Sequence, residues 1–167
     1  QALITAWRAR SRGALGDDFE LVEPVLAVRE VLLRALCPPL DARQALVRHA
    51  RGLAGAARAA GNLTIAASVM DRGESLLLAP GASTPGALTV DRCACKLEQA
   101  RILWAKGEAD LAIRTAAALG PALEALERSA LVVEPRTRGI EVQARQLAGR
   151  WMAAARSEGT QRIIDGH

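Results

Sequence analysis

The sequence predicts an all-α protein, an α-solenoid of antiparallel helix pairs with about seven to eight helices. Apolar residues recur three and four positions apart through most of the 167 residues. That is the spacing of one buried helix face, and no segment alternates as a strand does. A short motif, Ala-x-Gly-x-x-x-aliphatic-Ala, begins at Ala59 and again at Ala105. The return of one inter-helix turn after 46 residues is typical of stacked helical repeats.

The composition favours closely packed helices. Half of the residues are hydrophobic, yet the chain has only three Trp, one Phe and no Tyr. Alanines and branched aliphatic side chains must therefore fill the core, and a chain of this length can bury a sizeable one. We expect a single helical-repeat segment over residues 1–167. Because the chain opens on Gln1 and not on Met, we expect that it was either processed or is a piece of something longer.

The first helices are predicted from apolar stripes and from Pro. Residues 1–12 have the pattern of a helix end, with Leu3 and Trp7 on one side. Glu23-Pro24 predicts the start of the next helix, because Pro is tolerated at a first helical position. The predicted buried stripe of that helix consists of Val25, Val28, Leu32 and Ala35.

Helices over residues 41–60 and 63–78 flank the first glycine turn. Gly52 and Gly55 would weaken the first of them by about 1 kcal/mol each relative to Ala. We therefore expect a neighbouring helix to approach closely at these glycines. A loop rich in Pro, Gly and Ser is predicted at residues 79–91, between the helix pairs.

The second copy of the motif joins helices over residues 96–106 and 108–119 through Gly107. Gly suits a position of positive φ after a helix C-terminus, where a side chain would clash. The predicted buried positions of this pair are Leu97, Ala100, Leu103, Trp104, Leu111, Thr115 and Leu119. Ile102 points away from the first face, which predicts that a further helix covers it.

The last third of the chain is predicted as further helices separated by Gly and Pro. Gly120-Pro121 predicts a break before a helix over residues 122–133. A long helix follows, with Ile140, Ala144, Leu147, Trp151 and Ala155 as its buried face. Gly159 predicts its end, and Thr160 the cap of a final helix. Trp104 and Trp151 are expected to anchor the core.

Charge and cysteine usage narrow the class of protein. The net charge of +4 permits loose association with nucleic acid. No helix carries a dense basic stripe with interleaved aromatics, so we predict no direct nucleic-acid contact. The sequence contains no run of 18 apolar residues, so we predict no membrane-spanning helix. Three cysteines, an odd number, favour a reducing intracellular compartment over a secreted disulfide framework.

Metal-binding and catalytic residues are sparse. Cys93-x-Cys95 resembles half of a zinc site, but a closed tetrahedral site needs four ligands. The only histidines are His49 and His167. We interpret the two cysteines as small residues at a helix start, and His49 as a core histidine on an apolar stripe.

Kinase-like dipeptides are also present. Asp71-Arg72 and Asp91-Arg92 begin like a kinase catalytic loop, but neither is followed by the metal-binding Asn. We interpret both as helix-end pairs. Thr160-Gln161 is a dipeptide that Gln-directed kinases can phosphorylate, and one such dipeptide is expected by chance at this length. The sequence therefore predicts no catalytic, cofactor-binding or metal-binding residue in the chain.

Several blocks of the sequence resemble the FAT region of the phosphatidylinositol 3-kinase-related protein kinases. The most specific block is Leu97-Glu98-x-Ala100, with Trp104-Ala105 and Glu108-x-x-Leu111-Ala112. The others, in the family's order, are the aliphatic run from Glu23-Pro24, the Ala-rich turn to Gly61, and Gly149-x-Trp151-Met152. The resemblance covers roughly residues 19–167. The chain is poorer in aromatics and richer in Ala than is expected of that family.

The resemblance implies an α-solenoid of tetratricopeptide-like helix pairs that supports a kinase domain and contributes to dimer and partner contacts. Kinases of the family phosphorylate Ser or Thr followed by Gln, and members act in the nucleus in DNA-damage signalling. ATP and Mg would bind only in the kinase domain, none of whose catalytic residues lie in this chain. The implied partners are that kinase domain, other helical-repeat segments, further proteins and a second copy of the full-length protein.

Two other functions stay open from the residues alone. A free-standing adaptor of tetratricopeptide type would carry polar capping helices at its ends, and Ile163-Ile164 argues against one. A helical nucleic-acid-binding domain would concentrate Arg on one face, and its binding would weaken steeply with salt.

Overall fold

The computed structural model describes residues 19–36, 39–78, 85–129 and 135–165. Over these residues the chain is all-helical, as predicted, with six helices and no strand. The helices are α1 (Phe19–Leu36), α2 (Pro39–Ala59), α3 (Leu63–Leu78), α4 (Pro85–Ala105), α5 (Ala109–Ser129) and α6 (Pro135–Asp165). The predicted helix end over residues 1–12 lies outside this part of the chain.

The chain divides into two compact units, Gln1–Ser83 and Thr84–His167. The first contains α1 to α3, and the second contains α4 to α6. The single helical-repeat segment over residues 1–167 stays a prediction. Each unit is described on its own below.

In the first unit, α2 packs against both α1 and α3. Leu33 of α1 and Leu46 of α2 are buried together, with Leu76 of α3 beside them. Helices α2 and α3 approach each other closely at Gly73, where an added Cβ would lie 3.2 Å from the Cβ of Ala50. A glycine in α3 thus lets these two helices pack closely.

In the second unit, α5 packs against α4 and α6, and α4 also contacts α6. One buried cluster lies towards the start of α4 and consists of Val90, Cys93, Ala94, Leu97, Leu119, Leu123, Ile140 and Ala144. A second cluster lies further along and consists of Ala100, Ala112, Ala116, Ala148 and Trp151. Four alanines in the second cluster mean that the helix backbones themselves approach closely there.

The turns after α2 and α4 have the same backbone structure. Gly61 and Gly107 have φ values of 80° and 84°, and no other described residue has a positive φ. The amide of Gly61 donates to the carbonyl of Arg58, and that of Asn62 to Ala57. Gly107 donates in the same way to Trp104, and Glu108 to Leu103. Both turns are Schellman motifs, so the glycine turns predicted from the repeat are confirmed.

The repeat extends over both helices of each pair. Helices α2 and α4 are both 21 residues long and begin at Pro39 and Pro85, a separation of 46 residues. Small buried residues recur at the same separation. Equivalent pairs with no exposed surface are Ala54 and Ala100, and Ala66 and Ala112. At a third equivalent pair both residues are buried, but the large Met70 corresponds to the small Ala116. The two pairs therefore share the turn, the length of the first helix and these buried positions, while the second helices differ in length, with 16 residues in α3 and 21 in α5.

Two predicted helix ends are wrong. Gly120-Pro121 lies inside α5, which continues to Ser129. Pro121 lies on the exposed side, where the carbonyl it cannot bond is open to water, while Leu119 and Leu123 on either side are buried. Gly159 lies inside α6 and does not have the positive φ that is typical of glycine at a helix C-terminus. Because α5 and α6 each continue through a predicted break, the described helices are fewer than the predicted seven to eight.

Two predicted starts are also wrong. Helix α1 begins at Phe19, so Pro24 lies within it. Its missing N–H removes one hydrogen bond close to the helix start, where the loss is tolerated best. Helix α4 begins at Pro85, inside the loop predicted at residues 79–91. Proline at the first position suits both α2 and α4.

Two predicted buried stripes are displaced. In α5, Ala112 and Ala116 are buried, while Leu111 is 42% exposed and Thr115 is half-buried. The turn at Gly107 directs the small Ala112 towards α4, where it is fully buried in one cluster with Ala100. In α1, Leu33 is buried, whereas the predicted stripe of Val25, Val28 and Ala35 is exposed and Leu32 is half-buried.

The prediction of a close approach at Gly52 is wrong. Gly52 is exposed, and an added Cβ would meet no atom within 4 Å. The close approach occurs at Gly73 instead. Ile102, by contrast, is 3% exposed, so the prediction that it is covered is confirmed.

Replacing Gly107 by Ala should lower the free energy of unfolding by about 1–2 kcal/mol, because an L-residue is strained at positive φ. Gly52→Ala is the matched control in an open helical position, and should raise it by about 0.5–1 kcal/mol. Urea denaturation followed by circular dichroism measures both. Equal effects of the two substitutions would contradict the assigned role of Gly107.

Candidate functional site

The two cysteines of the sequence motif are buried structural residues. Cys93 and Cys95 lie on α4, both as free thiols. Burial raises the pKa of the Cys93 thiol, against a smaller opposite effect of Arg92. A metal ligand must be the thiolate, and the described residues contain no group of three or more candidate metal ligands. Cys93 packs in the core with Leu97 instead.

His49 is a core residue with one unsatisfied nitrogen. Its side chain is 6% exposed, and its Nε2 atom has no hydrogen-bond partner. Burial lowers the pKa of His49, and Arg29 of α1 lowers it further. Glu30 and a hydrogen bond with the backbone of Leu26 act in the opposite direction. The neutral imidazole therefore joins α2 to α1.

The two Asp-Arg dipeptides lie inside helices, so their interpretation as helix-end pairs is wrong. Asp71 and Arg72 are exposed on α3. Asp91 is 1% exposed on α4, and its Oδ1 atom accepts a hydrogen bond of 2.8 Å from Arg136 of α6. The Asp91 carboxylate thus has a structural partner. Thr160-Gln161 lies in α6, and its side chains lie outside the described part of the structure.

Three side-chain bridges connect α4 to α6. They are Asp91 to Arg136, Arg101 to Gln143 at 3.1 Å, and the stacked rings of Trp104 and Trp151. The partners advance in the same direction along both helices, so α4 and α6 run parallel. Helix α5 contacts both of them and returns the chain between them.

The indole pair is the largest of these contacts. The ring centroids of Trp104 and Trp151 lie 5.1 Å apart with an interplanar angle of 9°. Trp151 is 7% exposed, and Trp104 is half-buried. Leu103 and Leu147 pack against the same cluster. Both tryptophans anchor the core, as predicted, and two of the chain's four aromatic residues are used in one contact.

Ion pairs at the surface connect α5 to α6. Arg145 bonds Glu124 of α5 and also Glu141, which lies 2.7 Å away on α6. Arg138 approaches Glu127 at 3.8 Å. Exposed pairs of this kind contribute about 0–1 kcal/mol each, so they align the helices more than they stabilise them.

The residues that the sequence singled out for chemistry are therefore, where the structure describes them, parts of helix packing. The buried polar groups hold helices together, and their partners are other helices of the same unit. Sequence analysis missed the Asp91 to Arg136 pair and the parallel course of α4 and α6. An acid within an apolar helix stripe is the only signal that marked Asp91 beforehand.

None of the described helices has the length and apolar content needed to span a membrane. The sequence has no significant match to a known protein family, a curated protein or a solved structure.

Replacing Trp151 by Ala should lower the free energy of unfolding by about 3–5 kcal/mol, because it removes a buried indole and its stacking partner's contact. Trp104→Ala should cost less, since that ring is partly solvated. Met152→Ala, an exposed neighbour on α6, is the control and should stay within about 0.5 kcal/mol. Urea denaturation measures all three, and a Trp151→Ala midpoint equal to that of wild type would contradict the assignment.

Arg136→Met should destabilise the chain by about 2–3 kcal/mol, because it removes a bond from the buried Asp91 carboxylate. Arg138→Met removes a weaker pair from a side chain that is 74% exposed, and should cost less than about 0.5 kcal/mol. Adding Asp91→Asn to Arg136→Met should recover part of the loss. A double variant no more stable than Arg136→Met would contradict this.

The free energy of unfolding should fall as the pH drops below 6.5, the ordinary pKa of His. His49 has a lower pKa when folded, so the unfolded chain binds more protons in this window and acid favours unfolding. His49→Gln should flatten this dependence. Denaturation series between pH 5 and 8 measure it, and an unchanged slope in His49→Gln would show that other groups cause it.

Proposed function

We propose that this chain is a FAT-type scaffold segment of a serine/threonine protein kinase related to the ataxia-telangiectasia mutated kinase, which acts in DNA double-strand-break signalling. The segment supports the kinase domain and provides contacts for partners or for a second copy. Its own residues carry out no chemical step. ATP and Mg bind in the kinase domain, and the protein works in the nucleus.

One observation carries this proposal: the residues of the most specific resemblance are those that build a helical hairpin. Leu97 and Ala100 are buried on α4, and Trp104 stacks on Trp151. Glu108 closes the turn by donating to Leu103, and Ala112 is fully buried beside it. The residues that resemble the family thus lie in the turn and core of a helical hairpin, which are the parts that a scaffold family would retain.

The same proposal includes an α-solenoid of antiparallel pairs. Two hairpins with the same turn, 46 residues apart, support it. The parallel course of α4 and α6 supports it as well, since first helices of successive repeats lie side by side in such stacks. The buried alanines of both hairpins allow the close helix packing that stacking needs.

The reading frame beyond His167 tests the proposal directly. We expect the transcript to continue into a kinase domain with an Asp-Arg-His-x-x-Asn loop and a later Asp-Phe-Gly or Asp-Leu-Gly metal site. A stop codon soon after His167, with a Met shortly before Gln1, would contradict it. The free-standing adaptor would then be the better explanation.

A second test uses the full-length protein from that reading frame. Gly107→Val should reduce phosphorylation of a Ser-Gln peptide several-fold, because a β-branched residue at positive φ distorts the hairpin. Gly52→Ala is the control at an open position and should leave the rate unchanged. A purified Gly107→Val protein with wild-type kcat would show that the hairpin does not support the kinase domain.

A further inference from the structure

Among the described residues, helix α1 is covered on one side only. Its inner side packs against α2, where Leu33 is buried with Leu46. Its outer side carries Val25, Val28 and Val31, which are 51%, 60% and 64% exposed. An uncovered apolar face of this kind marks a contact site.

Helix α5 has both of its sides covered, because it packs against α4, which precedes it, and against α6, which follows it. The side towards α6 includes Gly120 and Glu124. Arg145 of α6 bonds Glu124, and its Nε atom lies 3.8 Å from the position of a Cβ added at Gly120. The residues that share buried clusters with α4 are Ala116, Leu119 and Leu123.

The two sides of α1 correspond to those of α5 at a separation of 91 residues. Arg29 and Leu33, which interact with α2, correspond to Gly120 and Glu124, which face α6. The positions that α5 buries against α4 correspond at the same separation to Val25, Val28 and Leu32. The outer side of α1 is therefore the side that α5 turns towards the helix before it.

Helix α3 leads to the same result at a separation of 45 residues. Val25 and Val28 correspond to Met70 and Gly73. Met70 is 1% exposed, and Gly73 lies close to Ala50 of α2. In both described hairpins these positions are thus buried, and the helix before the turn covers them.

Both separations place a glycine before α1. Gly61 less 45 positions and Gly107 less 91 positions are the same residue, Gly16. Each of the three glycines follows an alanine two positions earlier: Ala14, Ala59 and Ala105. Residues 1–18 lie outside the described structure, so the sequence alone supplies this part of the comparison.

The sequence before Gly16 also has apolar residues where the two described hairpins are buried. Positions 14, 12 and 7 residues before the turn glycine are buried in both hairpins: Val47 and Cys93, His49 and Cys95, and Ala54 and Ala100. The residues at these positions before Gly16 are Ala2, Ile4 and Ala9. The segment can therefore supply an apolar face to α1.

We propose that the segment of this chain before Gly16 covers the outer face of α1, as the first helix of a third hairpin with its turn at Gly16. Ala9 then lies near Val25, as Ala100 lies in one buried cluster with Ala116. The occupant of this face is part of the same molecule and not another protein. The inference rests on the repeated hairpin of the proposed solenoid and not on the kinase assignment, which the reading frame tests separately.

The reaction of a thiol at position 28 with a maleimide tests the cover. The full chain carries Cys37→Ser, which leaves Cys93 and Cys95, both buried. Val28→Cys should react at least about tenfold more slowly than Val142→Cys, because the thiol must wait for local opening. Val142 is the matched control, a similarly exposed valine (53%) on α6. The rate should be the same from about 5 to 500 μM protein, since a cover within one molecule does not depend on concentration.

A substitution in the segment should release the thiol. Adding Ala9→Glu to Val28→Cys should bring its rate to within about threefold of that of Val142→Cys, because a carboxylate is costly at a buried position. Ala14→Glu is the matched control and should leave position 28 slow, since the corresponding Ala59 and Ala105 are exposed. Circular dichroism checks that each variant keeps its helix content.

A pair of glycine substitutions tests the turn itself. Gly16→Ala should lower the midpoint of urea denaturation, because an L-residue is strained at positive φ. Gly13→Ala should raise the midpoint, because Gly13 corresponds to the helical residues Arg58 and Trp104, and Ala favours a helix over Gly. This pair decides the matter if Ala9→Glu loses helix content.

Four results would overturn the proposal. Equal rates for Val28→Cys and Val142→Cys would show that nothing covers the face. A slow Val28→Cys rate that rises on dilution would assign the face to a second copy. A position 28 that stays slow in folded Ala9→Glu would assign it to another segment. Equal midpoints for Gly16→Ala and Gly13→Ala would exclude a turn at Gly16.

Discussion

Two glycine turns with positive φ determine where this chain reverses. Gly61 and Gly107 take φ values that other residues adopt only with strain, and each turn is closed by the same two hydrogen bonds. The turn places a small residue, Ala66 or Ala112, directly against the preceding helix. The contacts of α2 with α3 and of α4 with α5 follow from these two reversals.

Small side chains explain how a chain with four aromatic residues forms a core. The residues with no exposed surface are Leu123 and the alanines Ala54, Ala57, Ala66, Ala100, Ala112 and Ala144. Helix backbones therefore approach closely, and many dispersion contacts take the place of large side chains. The Trp104 and Trp151 stack fills the remaining space in the second unit. The Asp91 to Arg136 bond sets the register at the other end of the same helix pair.

Local chemistry in the sequence predicted the helices and both glycine turns, because helical spacing and positive φ are local properties. It did not predict which faces are buried. Leu111 is larger than the buried Ala112, so periodicity assigned it to the core, but the hairpin buries the small Ala112 instead. In α1 the predicted stripe at Val28 is exposed, and Leu33 is buried. Gly120-Pro121 also misled the prediction, since burial of Leu119 and Leu123 outweighs a missing hydrogen bond. The Asp91 to Arg136 pair depends on tertiary contact, and the one local signal, an acid within an apolar helix stripe, did not show which residue Asp91 pairs with.

The two glycine turns fix the spacing of the helices that they join, so a measurement at the turns tests the structure most directly. Amide hydrogen exchange of Asn62 and Glu108 is the most direct measurement, because both amides donate the long hydrogen bond of the turn, to Ala57 and Leu103. We predict that both are protected, and that each exchanges together with the core of its own unit. Exchange of either amide at the rate of an unfolded chain would contradict the repeat.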